Sequence, residues 1–134
     1  MNGLFLKAEG NDTMPLGNRI VEMPEDTYQT NILRNPRSGF VAYAPMGSLA
    51  KGEALVMSAK CGSCHGADLR GMTLRNVVVP PIAGRSPSYI GRAIYDFQQG
   101  ARAGTNAVLM KPAVQKLTED DAIALSAYIA SLEP

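Results

Sequence analysis

One histidine, two cysteines and no tryptophan occur in 134 residues. The cysteines, Cys61 and Cys64, stand too close in sequence to found the disulfide framework of a secreted mini-protein. A Cys₂His₂ or Cys₄ zinc site cannot be assembled from one chain, and no second histidine remains for a catalytic triad. Charge imbalance is also missing. Thirteen basic and 12 acidic residues leave a net charge of +1, which offers no footprint for nucleic acid or for a polybasic membrane anchor. No run approaches the roughly 20 apolar residues of a membrane span. Residues 1–10 (MNGLFLKAEG) are too short and broken for a signal peptide, as expected of a processed form or of a chain whose export signal lies outside it. What is present, 46% apolar and 19% charged residues, is the composition of about one globular domain with a core of its own.

The composition shifts near residue 47. Residues 1–47 carry four basic and five acidic groups, keep no helical apolar period, and are punctuated by Pro15, Pro24, Pro36 and Pro45. They read as a mostly irregular N-terminal extension with one or two short turns or strands, Gly39–Tyr43 foremost, that packs on the core or docks a partner. Residues 48–134 read as helices, so the expected class is all-α. Ser48 is placed to cap a helix reaching about Lys60, with Leu49, Leu55, Val56 and Ala59 for burial. A loop rich in Gly, Arg and Pro follows. Ser86-Pro87 then gives cap and first helical residue in the expected order, Ile90, Ile94 and Phe97 share one face, and Gly100 marks the stop. Met110, with Pro112 close behind, falls in a loop between helices. Thr118 starts a last helix with Asp121 as a capping box, and Ala122, Leu125, Ile129 and Leu132 form its apolar stripe.

Cys61-Gly62-Ser63-Cys64-His65 is a C-x-x-C-H run, the attachment signature of c-type haem. Two thiols at this spacing, near a helix end, reach the two vinyl groups of one porphyrin, and the adjacent histidine supplies the proximal nitrogen to iron. Two other chemistries use the same residues. A bare C-x-x-C serves as a thiol redox pair in a βαβ setting, and two thiols with His65 bind zinc if a carboxylate or water completes the site. Under the haem reading the sixth iron ligand comes from elsewhere, and seven methionines compete: Met1, Met14, Met23, Met46, Met57, Met72 and Met110. Met57 lies on the attachment side and Met72 only a short path past His65. Met110 has a loop long enough to pass around the porphyrin and present a thioether to the opposite face, so it is the expected ligand.

With those residues in view, 48–134 resemble a class I c-type cytochrome, most similar to the small bacterial periplasmic kind. The resemblance rests on Gly52 through His65 (GEALVMSAKCGSCH), Pro80-Pro81-Ile82-Ala83-Gly84, Tyr89 through Phe97, and Met110 followed by LTEDDAIALSAYIASL. It implies three to four helices around one haem c held covalently through Cys61 and Cys64. It also implies close approach of the first and last helices at Gly52, with Tyr128 near the crossing, and a backbone carbonyl in the Pro80-Pro81 turn that accepts the Nδ1–H of His65. Ala93 departs from the pattern, since similar sequences often carry glutamine there. Arg85, Tyr89, Arg92 and Arg102 are the candidates for the haem propionates, because arginine pairs well with carboxylates. Residues 1–47 match no part of the single-haem pattern.

The expected function is one-electron transfer through a haem with His65 and Met110 as axial ligands, and not an enzyme activity of the chain itself. A five-coordinate haem c sensor or small-gas-binding protein is the alternative. The expected partners are redox donors and acceptors (dehydrogenase, oxidase or reductase), either met in solution or bound permanently in one complex, and the expected location is the bacterial periplasm. From Leu69 to Lys116 the charge is lopsided, with seven basic residues against the single acid Asp96, whereas Glu119, Asp120, Asp121 and Glu133 make the last helix and its approach acidic. That predicts a basic rim near the haem edge and a charge dipole on a nearly neutral molecule.

Overall fold

The computed structural model describes residues 15–134. The segment 1–10, Met1 and Met14 lie outside the described residues. The frame is helical: α1 (Ser48–Ser58), the one-turn α2 (Gly62–His65), α3 (Pro87–Gln99), α4 (Ala107–Val114) and α5 (Glu119–Ser131). Two small antiparallel hairpins accompany it, β1 (Val21–Pro24) with β2 (Phe40–Tyr43) and β3 (Met72–Leu74) with β4 (Val77–Val79).

Local signals start and stop the long helices. The Ser86 hydroxyl accepts the backbone N–H of Tyr89 and Pro87 takes the first helical position of α3, while Gly100, at φ +76°, closes it. Thr118 and Asp121 form a reciprocal capping box at α5. The first helix differs from expectation by one position. Gly47, left-handed at φ +85°, is its N-cap, Ser48 is buried inside the first turn, and the helix ends at Ser58.

The core forms where α3, α4 and α5 meet the loop that carries Leu69 and Ala83, and α1 adds the partly buried Leu55 and Val56. Leu69, Ala83, Ile90, Ile94, Val114, Leu125 and Ile129 are buried together. Each large aliphatic side chain there stabilises the fold by about 1.5–3 kcal/mol relative to exposure. Helices α1 and α5 cross at Gly52, where a β-carbon would run into the Ala124 carbonyl oxygen and the β-carbon of Tyr128. Only glycine permits that approach. Gln98 fastens α3 to the end of α4, its amide donating to the carbonyls of Val114 at 2.8 Å and Leu117 at 2.9 Å.

The arm is built and attached. Strands β1 and β2 pair in register, Val21 with Tyr43 through Pro24 with Phe40, and the intervening loop holds a π-helical turn at Tyr28–Ile32. Asp26 starts that turn by accepting the N–H groups of Tyr28 and Gln29. The Glu22 carboxylate reaches the N-terminus of α3, accepting from the Ser86 hydroxyl at 3.2 Å, the Ser88 N–H at 3.3 Å and the Ser88 hydroxyl. Asn18 bonds Asp120, and Ile20 closes one side of a cleft of about 570 Å³ over α3 and α5.

Candidate functional site

Lys60, left-handed at φ +55°, breaks the chain out of α1 and into the C-x-x-C-H turn. Cys61 stays tied to the helix it leaves, its N–H bonded to the Val56 carbonyl at 3.0 Å. One turn later the N–H groups of Cys64 and His65 both donate to the Cys61 carbonyl, at 3.2 and 3.0 Å. This compact turn sets the two thiols one turn apart, Cys61 half-buried and Cys64 exposed, and sends His65 inward to 8% exposure. Burial pushes the Cys61 thiol above its ordinary range, its own backbone hydrogen bond opposes this, and the neighbouring Cys64 adds to it.

Next the chain builds a stop for the imidazole. The His65 carbonyl accepts the Gly71 N–H at 2.6 Å, and the β3–β4 hairpin then delivers Pro80. Gly71 is left-handed at φ +84°, and a β-carbon there would stand 2.8 Å from Pro81 N and from the Val79 carbonyl oxygen. The Leu69 carbonyl holds the far side of the turn by accepting from Ile82 at 2.9 Å and Ala83 at 3.1 Å. In this setting the Nδ1–H of His65 donates to the Pro80 carbonyl oxygen at 2.9 Å. A carbonyl only accepts, so the proton sits on Nδ1 and the Nε2 lone pair is left for a metal.

Two of the alternatives open at the sequence level lose their support here. The C-x-x-C run follows a helix, not the strand of a βαβ unit. Among the described residues, no group of three or more His, Cys, Asp or Glu side chains comes together as a metal site, so zinc has no ligand set. The donor set present, two thiols and a buried imidazole with its Nδ1 committed, fits a covalently held haem.

The Cytochrome c family pattern matches residues 49–133. The chain belongs to the cytochrome c family. It is 34% identical over 87 residues to cytochrome c-554(548) of Halomonas halodenitrificans, covering 65% of this chain and 99% of that protein. Cytochrome c-554(547) of Halothiobacillus neapolitanus is 33% identical over 95 residues, with the same coverage of each. The cytochrome subunit of sulfide dehydrogenase from Chlorobaculum tepidum is 41% identical over 56 residues, 42% of this chain and 46% of that one. Among solved structures, reduced recombinant cytochrome c4 from Pseudomonas stutzeri superposes with a TM-score of 0.56 at 28% identity, over 68% of this chain and 51% of that chain. This cytochrome c therefore spans about half the length of two of these relatives and nearly all of the other two.

Its cofactor is haem c, carried on the C-x-x-C-H run of Cys61 and Cys64, and its work is electron transfer. The fold is the cytochrome c fold, helix-rich with a few short strands. No helix among the described residues is long and apolar enough to cross a membrane.

Two local expectations need correction. Met110 does not lie in a loop but in α4, with Pro112 inside the same helix. The segment read as a Gly-, Arg- and Pro-rich loop contains the β3–β4 hairpin, with Arg75 at φ +46° and Asn76 at φ +70° forming its two-residue turn. Met110 is half-buried and packs against the core, while Met46, Met57 and Met72 are 103%, 74% and 40% exposed. The four propionate candidates divide. Arg85 and Arg92 are exposed with no side-chain partner among the described residues. Arg102 is organised: its Nη2 donates to the Tyr89 hydroxyl at 3.3 Å, and its guanidinium carbon lies 5.8 Å from the Tyr89 ring centre and 5.2 Å from that of Phe97.

Proposed function

We propose that this domain is a one-electron carrier in which His65 and Met110 supply the two axial ligands of a single haem c, with Arg102 and Tyr89 meeting a propionate. The observation that carries the reading is the 2.9 Å bond from His65 Nδ1–H to the Pro80 carbonyl. It orients the ring, fixes its tautomer and strengthens Nε2 as a donor. Met110 is the methionine best suited to the opposite side, because it alone of Met46, Met57, Met72 and Met110 packs against the core. A thioether there favours the ferrous state and raises the potential, which suits a carrier rather than an open gas-binding site. The iron supplies the redox chemistry, and the chain supplies ligands, a largely apolar surround and fixed dipoles. Arg102, near the Tyr89 and Phe97 rings with one donor spent on Tyr89, keeps its other N–H groups for a carboxylate.

The carrier works between larger redox proteins in the bacterial periplasm. The relative named as a cytochrome subunit of sulfide dehydrogenase supports a second form of the same work, in which the domain is a fixed subunit of a redox complex. An absorption spectrum of the holoprotein, oxidised and reduced, tests the ligation. The weak far-red charge-transfer band of methionine bound to ferric haem is expected, and an oxidised spectrum without it overturns the Met110 assignment.

A further inference from the structure

The helix that carries Met110 cannot stand by itself. Its 8 residues fall short of the roughly 12–15 at which an isolated helix is even marginal in water. Pro112 lies inside it and has no N–H, so the Val108 carbonyl one turn back loses its helical partner. At the start of the helix the Asn106 side chain makes no capping bond. Val108, Leu109, Lys111, Pro112 and Ala113 are exposed, and Ala107, Met110 and Val114 are the positions that turn inward. Met110 and Val114 stand one turn apart on that inner face.

Helix α3 is its main neighbour, and Gln98 of α3 is its fastening. The Gln98 amide donates both of its N–H groups, one to the carbonyl of Val114, the last residue of α4, at 2.8 Å, and one to that of Leu117 at 2.9 Å. Both partners only accept, so the nitrogen of the amide, not its oxygen, faces them. Among the described residues no other hydrogen bond joins α4, or the turn that follows it, to another element. The rest are local: Ala107 N–H to Gly104, Leu109 to Asn106, Gln115 to Lys111 and Leu117 to Val114. Gln98 is itself half-buried, where a polar tie is less easily exchanged for water.

We propose that Gln98 is a positioning residue for the Met110 thioether: by pinning the C-terminal end of α4 it keeps the sulfur in place as a ligand. The inference rests on the His65/Met110 reading and deepens it. A side chain at 98 without N–H donors leaves α4 the apolar contacts of Met110 and Val114 and removes both of its polar ties to α3. The helix then opens locally while the α1–α5 crossing stays closed, because the two belong to separate units of stability. An external ligand competes with the thioether from that open state. Its apparent affinity therefore rises by the factor in which the open state is enriched.

Imidazole titrated into the oxidised holoprotein at pH 7 reads that population, since imidazole enters as the thioether leaves and the far-red band fades. Gln98→Leu keeps most of the bulk of the side chain, and Gln98→Glu keeps its shape; both give up the two N–H donors. Each should bind imidazole about tenfold more tightly than the wild type. Each should also have a lower reduction potential, as a weakened thioether requires. Gly52→Ala is the control: it loosens the α1–α5 crossing, away from α4, and should bind imidazole as the wild type does although its global stability falls. The two Gln98 variants are independent routes, and one that folds is enough. Wild-type imidazole affinity in a folded Gln98 variant, or an equal gain in Gly52→Ala, overturns the proposal. The wild-type far-red band separates the two failures. If it is missing, the ligand reading falls and takes this inference with it; if it is present while the Gln98 variants bind imidazole as the wild type does, the role of Gln98 alone is refuted.

Discussion

His65 and Pro80 are joined by a 2.9 Å hydrogen bond that the β3–β4 hairpin exists to aim. Its geometry depends on Gly71, where a β-carbon would run into the Val79 carbonyl and Pro81 N. A methyl group at this left-handed position meets backbone that cannot swing aside. Gly71→Ala should therefore cost about 1–3 kcal/mol of stability. It should also loosen the bond to His65 Nδ1, weaken the imidazole donor and raise the reduction potential. Denaturant unfolding and redox titration of the holoprotein check the two effects. A destabilised protein with an unchanged potential would show that the carbonyl does not tune the ligand.

Met110→Ala separates ligation from attachment. Cys61 and Cys64 are untouched, so the denatured variant should still carry one haem by mass spectrometry. The far-red band should vanish and the potential should fall, because a thioether has been exchanged for water or a stray nitrogen. Loss of a half-buried methionine adds about 1–2 kcal/mol of destabilisation, below the range for fully buried sites. Met46→Ala, Met57→Ala and Met72→Ala should leave spectrum and potential as they were.

The helix crossing makes the largest single demand on a residue type. Gly52→Ala places a methyl group against the Ala124 carbonyl and the Tyr128 side chain, where two helix backbones would have to part. About 3 kcal/mol of lost stability is expected. Calorimetry of the holoprotein measures it, and a loss well under 1 kcal/mol would mean the crossing can slide.

Acid should act on the start of α5. The Lys51 ammonium, 2.8 Å away, is the main cause holding Asp121 down from 3.8 to about 2, and the Thr118 cap adds to it. A carboxyl depressed in the folded state stabilises it above the unfolded value, and this is lost as pH falls from about 4 through about 2. Both partners meet solvent, so the amount is about 0.5 kcal/mol. Lys51→Met should lower stability by that much at pH 7 and match the wild type once Asp121 is protonated in both. Equal stabilities at pH 7 would show that the cap alone holds Asp121.

How far the sequence revealed this molecule follows the range of each interaction. Ser86-Pro87, Thr118 with Asp121, Gly100 and Cys61 through His65 act within a few residues, and each marked its element correctly. Pro112 signals a break and hides helix α4, yet in an eight-residue helix it sacrifices only one hydrogen bond. The β3–β4 hairpin hid because three-residue strands are too short to show alternation. Its turn is also Arg75-Asn76 rather than a glycine pair. Glu22 on α3 and Gln98 under α4 are contacts between distant segments, and no local pattern announces them.

The Glu22 contact yields the last prediction. Its carboxylate holds Ser86 and Ser88 at the positive end of α3, so one group both caps a helix and anchors the arm. The β1–β2 hairpin has two four-residue strands, and two-stranded hairpins are marginal in water without support. Glu22→Gln keeps the size of the side chain and removes its charge, which should cost about 0.3–1 kcal/mol at the helix terminus. The larger consequence should be local. Amide exchange in Val21–Pro24 and Phe40–Tyr43 should speed up while the α1–α5 core remains protected, because the arm and the core then open as separate units. Hydrogen exchange resolved by residue tests this directly. If arm and core exchange at unchanged relative rates, Asn18 and Ile20 are enough to hold the arm, and Glu22 serves only α3.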